Sequence, residues 1–217
     1  MRQSRTPGVV DAVEDDIIFG VLLPGTRLTE DGLMARFGVT RHAIRQALVE
    51  LEHTGIVRRE HNLGATVRQY SPREVMEIYA VRELLQREAA LLIPYPAPAG
   101  LADTLIELND RFRKAQEAMD LHFMHEANDA FHLTLLGACG NDYLLGSIRH
   151  YMNLSLPMRA KSLSDEAAFQ TSEGQHQIMI RLLERGDRWV LAQLCGDHVQ
   201  PSKQAYLSGV SARAVAA

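Results

Sequence analysis

The sequence predicts a mainly α-helical protein: an N-terminal winged helix-turn-helix of three helices plus a β-hairpin, followed by an all-α antiparallel helical bundle. Three observations support this fold. The chain of 217 residues exceeds the usual size of one domain. A pair of short strand-like segments occurs between residues 56 and 68, and after residue 71 apolar residues recur only at helical spacing. We therefore place the two domains at residues 1–70 and 71–217.

The first domain contains three segments with helical periodicity. Val9, Val13 and Ile17 recur at helical spacing and mark the first segment. Thr29 and Thr40 precede the second and third segments, and threonine is a favoured N-cap because its hydroxyl accepts a hydrogen bond from the first turn. The second and third segments are separated by a short turn that contains a glycine, as in a helix-turn-helix.

Two short strands are expected after the third helix. Residues 56–59 and 65–68 are rich in residues that favour strands, and the sequence Asn-Leu-Gly at 62–64 is typical of the turn between them. A helix-turn-helix followed by a β-hairpin is a winged helix-turn-helix.

The second domain begins at the Ser71-Pro72 linker and shows six helical patterns. Proline-rich residues 94–98 separate the first two helices, and Gly186 separates the last two. Short connections between successive helices favour an antiparallel bundle. The predicted helices are 72–93, 100–119, 121–138, 141–160, 165–185 and 187–207.

The composition indicates a cytoplasmic protein with no membrane contact. No apolar run approaches the roughly 20 residues that a membrane-spanning helix needs. Cys139 and Cys195 lack the spacing of a redox or zinc motif, so we expect reduced thiols in the core. The net charge is −4, but residues 32–69 contain six Arg and three Glu. This local excess of positive charge favours DNA binding by the first domain.

The third helix carries the candidate DNA-reading residues. In a helix-turn-helix, the first turn of the second helix of the motif meets base edges in the major groove. Thr40, Arg41, His42 and Arg45 occupy this region, and the two arginines share a helix face because they are four residues apart. Either arginine could bind a guanine through two hydrogen bonds. The alternative is that they only solubilise an exposed face.

Residues 17–67 closely resemble the winged-helix domain of the GntR family. The resemblance lies in residues 23–28, 37–41, 44–48, 55–57 and 64–67. It implies that the protein binds a palindromic double-stranded DNA operator through Thr40, Arg41, His42 and Arg45, and that Gly64 lies at the wing tip near the minor groove. Many relatives have arginine before that glycine, whereas this chain has Leu63, with His61 two residues earlier.

Three histidines of the second domain are candidate metal ligands. Asn128 and His132 are four residues apart and point to the same side of one helix, while His176 and His198 lie on later helices. Three imidazoles and one oxygen suit a divalent transition metal such as zinc, nickel or manganese. From spacing alone, the alternative is that these histidines are separate core or surface residues that do not meet.

The second domain resembles the FCD effector domain of the FadR subfamily of GntR regulators. The matching features are residues 81–85, Phe131-His132, Gly140-Asn141, His176, Gly186-Asp187 and His198. The resemblance implies that Asn128, His132, His176 and His198 hold the metal, zinc above all, and that Arg82 points toward the effector. Aspartate is the commoner residue at position 128. A metal beside an arginine favours a small carboxylate or sugar acid as effector. An intrahelical pair of Arg82 with Glu83 or Gln86 is the alternative.

These features predict a homodimeric transcriptional repressor that releases DNA when its effector binds. A metalloregulator that senses the metal itself is an open alternative. A metal-dependent hydrolase is disfavoured because the sequence His125-Glu126 lacks the second histidine of the zinc-protease motif, which is Asp129 here, so we expect no enzyme activity. The remaining histidines of both domains carry no motif and are expected at the surface: His53, His122, His125 and His150.

Overall fold

The computed structural model describes the backbone of residues 7–60, 64–163 and 166–216 and is mainly helical. The predicted fold class, a winged helix-turn-helix followed by a helical domain, is confirmed. No helix of the described residues is both long and apolar enough to cross a membrane. In chain order the elements are α1 Pro7–Ile18, β1 Arg27–Leu28, α2 Glu30–Phe37, α3 Arg41–His53, β2 Val57–Glu60, β3 Gly64–Val67, α4 Pro72–Leu92, α5 Leu101–Glu117, α6 Leu121–Gly137, α7 Asp142–Leu154, α8 Leu156–Leu163, α9 Glu166–Arg185, α10 Arg188–Asp197 and α11 Gln200–Ala216.

The head, α1 to β3, forms around the capped helices that the sequence predicts. The hydroxyls of Thr29 and Thr40 accept hydrogen bonds from the amides of Gly32 (3.1 Å) and Ala43 (3.3 Å), and so begin α2 and α3. The sheet has one strand more than expected, because β1 pairs with β3 in the antiparallel order β1-β3-β2. The wing is therefore anchored to the segment that precedes α2.

Gly64 is held by this third strand. Its φ of 94° is a left-handed conformation, and a Cβ atom there would overlap the carbonyl oxygen of Leu28. Gly64 is also buried. These constraints give it a structural role, and its contact with DNA stays a prediction. His61 and Leu63 lie outside the described residues.

The body, α4 to α11, contains two helix breaks that the sequence reading missed. The predicted helix 141–160 is divided into α7 and α8, and the predicted helix 187–207 into α10 and α11. The physical reason is Pro157 in the first turn of α8 and Pro201 in the first turn of α11. Proline has no amide hydrogen and its ring clashes with the carbonyl four residues earlier, so neither helix can continue through it.

The core of the body lies among α4, α5, α6, α7, α9 and α10. It contains Phe131, Met152 and Met179 together with Cys195, all nearly inaccessible to solvent. Burial raises the pKa of the Cys195 thiol to about 12, as expected of a reduced core cysteine. Cys139 is also free and half-buried.

The head and the body are in direct contact. Helix α8 packs against α1, and its first residue, Leu156, is part of the hydrophobic cluster of the head. The side chain of Leu154 lies against Gly55, and the Tyr70 hydroxyl donates to the Gly55 carbonyl (3.0 Å). The domain boundary at residues 70/71 stays a prediction, since residues on both sides of it pack together.

A group of carboxylates lies where α1 meets the body. Glu14 on α1 is half-buried, and burial raises the pKa of its carboxyl group to about 7. The negative charges of Asp11, Asp15, Glu50 and Asp129 add to this rise. Ionised Glu14 therefore weakens the folded state.

Replacing Glu14 by glutamine is expected to stabilise the protein in a pH-dependent way. Between pH 4.5 and about 7 the folded protein keeps a proton that the unfolded chain has released, so the free energy of unfolding falls as the pH rises through this window. At pH 8 Glu14→Gln should raise the free energy of unfolding by up to about 3 kcal/mol, and the gain should vanish below pH 4.5. Thermal denaturation from pH 4 to 8 measures it. Glu88→Gln, at an exposed site on α4, serves as the control; a pH-independent gain would refute the explanation.

Candidate functional site

Three histidines from different helices meet inside the body. His132 lies on α6, His176 on α9 and His198 at the C-terminus of α10. The Nε2 atom of His132 lies 3.0 Å from Nε2 of His198 and 3.2 Å from Nε2 of His176. The structure thus brings together three of the four predicted ligand side chains by their ring nitrogens.

The outer nitrogens of two of these rings are held by side-chain amides. Nδ1 of His176 donates to Oδ1 of Asn109 (3.0 Å), and Nδ1 of His198 donates to Oε1 of Gln175 (2.6 Å). Asn109 in turn donates to Glu173 (3.3 Å). With the proton on Nδ1, the Nε2 atoms of His176 and His198 both present lone pairs toward His132. Polar partners of this kind orient histidines that ligate metals.

The three imidazoles are neutral. Burial is the largest cause that lowers the pKa of all three rings. The pKa of His132 is lowered further by repulsion from His198 and His176 in their protonated forms, and that of His198 by the charge of Arg82. The pKa of His198 falls to about 3. Neutral imidazole is the form that ligates metals. The nitrogen spacing also suits an ion, because two nitrogens each about 2.0–2.1 Å from one ion lie about 3 Å apart when the angle between the bonds is near 90–100°.

Asn128, the fourth predicted ligand, lines the same cavity as His132 and His198 and is buried. Its Nδ2 atom donates to Oδ1 of Asp129 (3.2 Å), so this hydrogen bond uses the amide nitrogen of Asn128. The Asn128 side-chain oxygen is not used by this bond, and the residue shares the cavity with two of the histidines. Because it is neutral, it compensates the charge of an ion less than aspartate would.

Asp129 forms a buried ion pair that sequence reasoning missed. Both of its oxygens accept hydrogen bonds from Arg159 of α8, at 2.6 and 3.1 Å. Burial alone would raise the pKa of Asp129, but the charge of Arg159 lowers it below the usual range. The pair joins α6 to α8 next to the candidate metal ligands. A buried arginine has no signature in sequence, since only the fold shows what it faces.

Arg82 is a buried guanidinium that lines the cavity. Its Nη1 atom donates to the Ser155 hydroxyl (3.0 Å), and its Nε atom lacks a hydrogen-bond partner among the described residues. Arg82 does not form the alternative intrahelical pair with Glu83, because Glu83 binds Arg87 instead (2.8 Å). Burial and then the charge of Arg159 lower the pKa of Arg82 to about 10. Arg82 thus lacks a carboxylate partner within the described chain.

The cavity between these groups is small and positively charged. Its volume is about 70 Å³, room for a few water-sized groups. Its walls come from α4, α5, α6, α8, α9, the C-terminus of α10 and the first turn of α11. Its polar lining includes Arg82, Asn128, His132, Arg159, Gln175 and His198.

The surface histidines fit the expectation with one exception. His53 and His150 are exposed and His122 is half-buried, with its Nδ1 atom 2.8 Å from Asp15 of the head. His125 was expected at the surface and is largely buried instead, beside Asp129. The sequence could not show this, because the burial of a side chain on α6 depends on how the rest of the protein packs around that helix.

The predicted DNA-reading side chains of α3 lie on its exposed face. Thr40, Arg41, His42 and Arg45 are all solvent-exposed at or near its N-terminus. Arg45 donates to Glu30 of α2 (2.8 Å), and Arg41 donates to Glu30 (3.1 Å) and to Asp31 (2.6 Å). Glu30, which sequence reasoning missed, holds both guanidinium groups on one side of the helix.

Two family models match the chain. The model described as bacterial regulatory proteins, gntR family, matches residues 6–67, and the model of the FCD domain matches residues 77–201, more than half of the chain. Similar curated proteins include the gluconate operon transcriptional repressor of Bacillus licheniformis, 27% identical over 177 residues, with 79% of this chain and 72% of the relative covered. The protein of the same name from Bacillus subtilis (strain 168) is 26% identical over 187 residues, with 82% and 74% covered.

Solved structures share the fold. A GntR transcriptional regulator from Rhodococcus sp. RHA1 has a TM-score of 0.74 at 20% identity, with 95% of this chain and 99% of that chain covered. McbR/YncC of E. coli has a TM-score of 0.72 at 22% identity, with 97% and 98% covered. The two sequence matches and this common architecture agree. The chain therefore belongs to the GntR family of bacterial regulatory proteins, as a transcriptional regulator that carries an FCD domain.

Proposed function

We propose that this regulator is a homodimeric repressor that binds DNA through α3 and releases it when a small anionic metabolite enters a metal-containing cavity of the body. The observation that carries the proposal is the buried guanidinium of Arg82, which faces a cavity shared with neutral histidines. A buried guanidinium without an opposite charge in direct contact is costly, and an anion would compensate it.

The head supports the DNA-binding part of the proposal. Arg41 and Arg45 are presented together on the exposed face of α3, where base edges of the major groove would lie. Two copies of the chain would place two such helices on a palindromic operator. The names of the Bacillus relatives describe repressors, which favours repression here.

The residues of the cavity fit a divalent transition metal. His132, His176 and His198 would hold it by Nε2, and Asn128, which lines the same cavity, would supply its side-chain oxygen. When bound, such an ion supplies a positive centre that accepts oxygen ligands. Asn109 and Gln175 keep two of the rings in the orientation that this requires.

The ligand class follows from the charges. A guanidinium and a metal side by side favour an anion rich in oxygen, such as a carboxylate or a sugar acid. The gluconate operon in the names of two relatives points to sugar acids as the first class to test. A metalloregulator is the second candidate, favoured by the cluster of histidines itself.

The metal content should depend on the clustered histidines. Protein purified without a histidine tag should contain about one equivalent of zinc, nickel or manganese by elemental analysis. His132→Ala combined with His176→Ala should abolish it, whereas His150→Ala, at an exposed site on α7, should retain it. Asn128→Asp should tighten binding because it adds a compensating charge. Metal-free protein after reconstitution with all three ions would refute the metal site.

Loss of either guanidinium from α3 should weaken specific DNA binding. Arg41→Ala or Arg45→Ala should each reduce the affinity for DNA selected from a random pool by about 1–3 kcal/mol, since a bidentate contact to a base is lost. Fluorescence anisotropy at fixed salt concentration measures the change. Arg73→Ala, at an exposed site on α4, is the matched control. An equal loss on non-specific DNA would indicate phosphate contacts instead of base recognition.

Carboxylate binding should require Arg82. Gluconate, or another acid of three to six carbons, should raise the melting temperature of metal-loaded protein, whereas the uncharged polyol sorbitol should not. Arg82→Met should weaken this binding by about 10-fold or more, because it removes a charge-assisted hydrogen bond. Arg113→Met, on the exposed face of α5, is the control. If none of these acids binds while the metal does, the metalloregulator becomes the preferred function.

A further inference from the structure

Residues 154–156, the junction of α7 and α8, touch both the cavity lining and the head. Leu154 ends α7, Ser155 caps it and Leu156 begins α8. The three consecutive side chains make three different contacts. The junction is therefore a place where a change in the cavity can reach the DNA-binding domain.

Ser155 binds the guanidinium that faces the cavity. Its side chain is fully buried, its Oγ atom accepts from Nη1 of Arg82 (3.0 Å), and its hydroxyl donates to the carbonyl of Met152 (2.9 Å). The described chain thus offers Arg82 a neutral hydroxyl in place of a carboxylate. The bond from Arg82 to Ser155 has a charge on the donor only, whereas a bond from Arg82 to an anion has opposite charges on both partners, so an anion in the cavity competes with Ser155 for Arg82.

Leu154 contacts the end of the DNA-reading helix. It lies so close to Gly55 that a Cβ atom on Gly55 would overlap the Leu154 side chain. Gly55 follows Thr54, the C-cap of α3, and has a φ of 81°. Because the Gly55 carbonyl also accepts from Tyr70, the backbone at this point is fixed on both sides.

Leu156 and Arg159 attach α8 to the head and to the cavity. Leu156 is buried in the hydrophobic cluster of the head. Arg159, one turn later, binds Asp129, the neighbour of Asn128, and lines the cavity. A movement of α8 when a ligand enters the cavity would therefore reach the head, because the first turn of this wall is embedded there.

The helix is interrupted at this junction. Pro157 removes the backbone hydrogen bond that would continue α7 into α8, so the angle between the two helices is not fixed by a continuous helix. Hinges consist of a few residues at the ends of elements. Ser155 is such a residue, and Arg82 holds it.

We propose that Ser155 positions Arg82 in the effector-free state and that the junction Leu154-Ser155-Leu156 transmits loss of this hydrogen bond to α3. The inference rests on the proposed function, since it takes Arg82 as the anion-binding group. An anion that draws Arg82 into the cavity releases Ser155, and Leu154 and Leu156 then shift against Gly55 and the core of the head. DNA affinity falls as a result.

A double-mutant cycle tests the junction with DNA alone. Ser155→Ala and Arg82→Met each break the same bond without any effector, so each should weaken DNA binding by about 5-fold or more, the low end of allosteric coupling. The double variant should be no weaker than either single variant, because both remove one interaction. Ser147→Ala, an exposed serine of α7 that also donates to a backbone carbonyl, should bind DNA like the wild type.

The contact with the head has its own variants. In a Leu154→Ala background, Ser155→Ala should have no further effect on DNA affinity, because the junction no longer presses on Gly55. Leu144→Ala, which trims a half-buried leucine of α7 that packs against the body core, should leave the Ser155→Ala effect intact. If Leu154→Ala does not fold by circular dichroism, Leu154→Val provides the smaller truncation.

The outcomes separate the two proposals. Two results would refute the proposed role of the junction, whatever the effector is. In one, Ser155→Ala and Arg82→Met bind DNA within 2-fold of the wild type. In the other, their effects on DNA affinity multiply in the double variant. If no carboxylate binds but the double-mutant cycle is non-additive, the proposed ligand class is refuted and the proposed role of the junction is retained. The role of the junction would be supported if Ser155→Ala and Arg82→Met each lowered DNA affinity about 5-fold without adding in the double variant. The effect of Ser155→Ala should also disappear in the Leu154→Ala background.

Discussion

The burial of Arg82 without a carboxylate partner is the constraint on which the body depends. A charged group taken out of water is costly unless charge or hydrogen bonds compensate it. Here a serine hydroxyl supplies part of that compensation, and the described chain supplies no opposite charge in direct contact. Burial is the largest cause of the lowered pKa of His132 and His198, and the charge of Arg82 adds to it, so both rings are held in the neutral form. Arg82 thus links three parts of the body: it lines the cavity, lowers the pKa of two histidines and binds Ser155 of the helix junction.

Much of the fold follows from local signals in the sequence. Thr29 and Thr40 cap α2 and α3 as their residue type predicts, because an N-cap depends only on the first turn of its helix. The breaks at Pro157 and Pro201 had an equally local cause, which the strong apolar periodicity on either side obscured. Strand β1 had no local signal. Two residues become a strand only because β3 lies beside them.

The candidate site could be predicted only in part. Spacing places Asn128 and His132 on one side of α6, but the approach of His176 and His198 depends on how α9 and α10 pack, and the family resemblance was needed to predict it. Asn109 and Arg159 carried no signal. Their importance comes from what they contact, an imidazole nitrogen in one case and Asp129 in the other, and these contacts join residues 67 and 30 positions apart.

The replacement of aspartate by Asn128 bears on how metal and anion would act together. In the proposed site the ion would be held by three neutral imidazoles and a neutral amide, so its charge would not be offset by its protein ligands. The ion would then add to the positive potential around Arg82, whereas Asp129 is already occupied by Arg159. An anion would compensate the ion and the guanidinium at once. Each of the two would therefore bind more tightly in the presence of the other, and by linkage the metal would increase the affinity for the metabolite by the same factor as the metabolite increases the affinity for the metal.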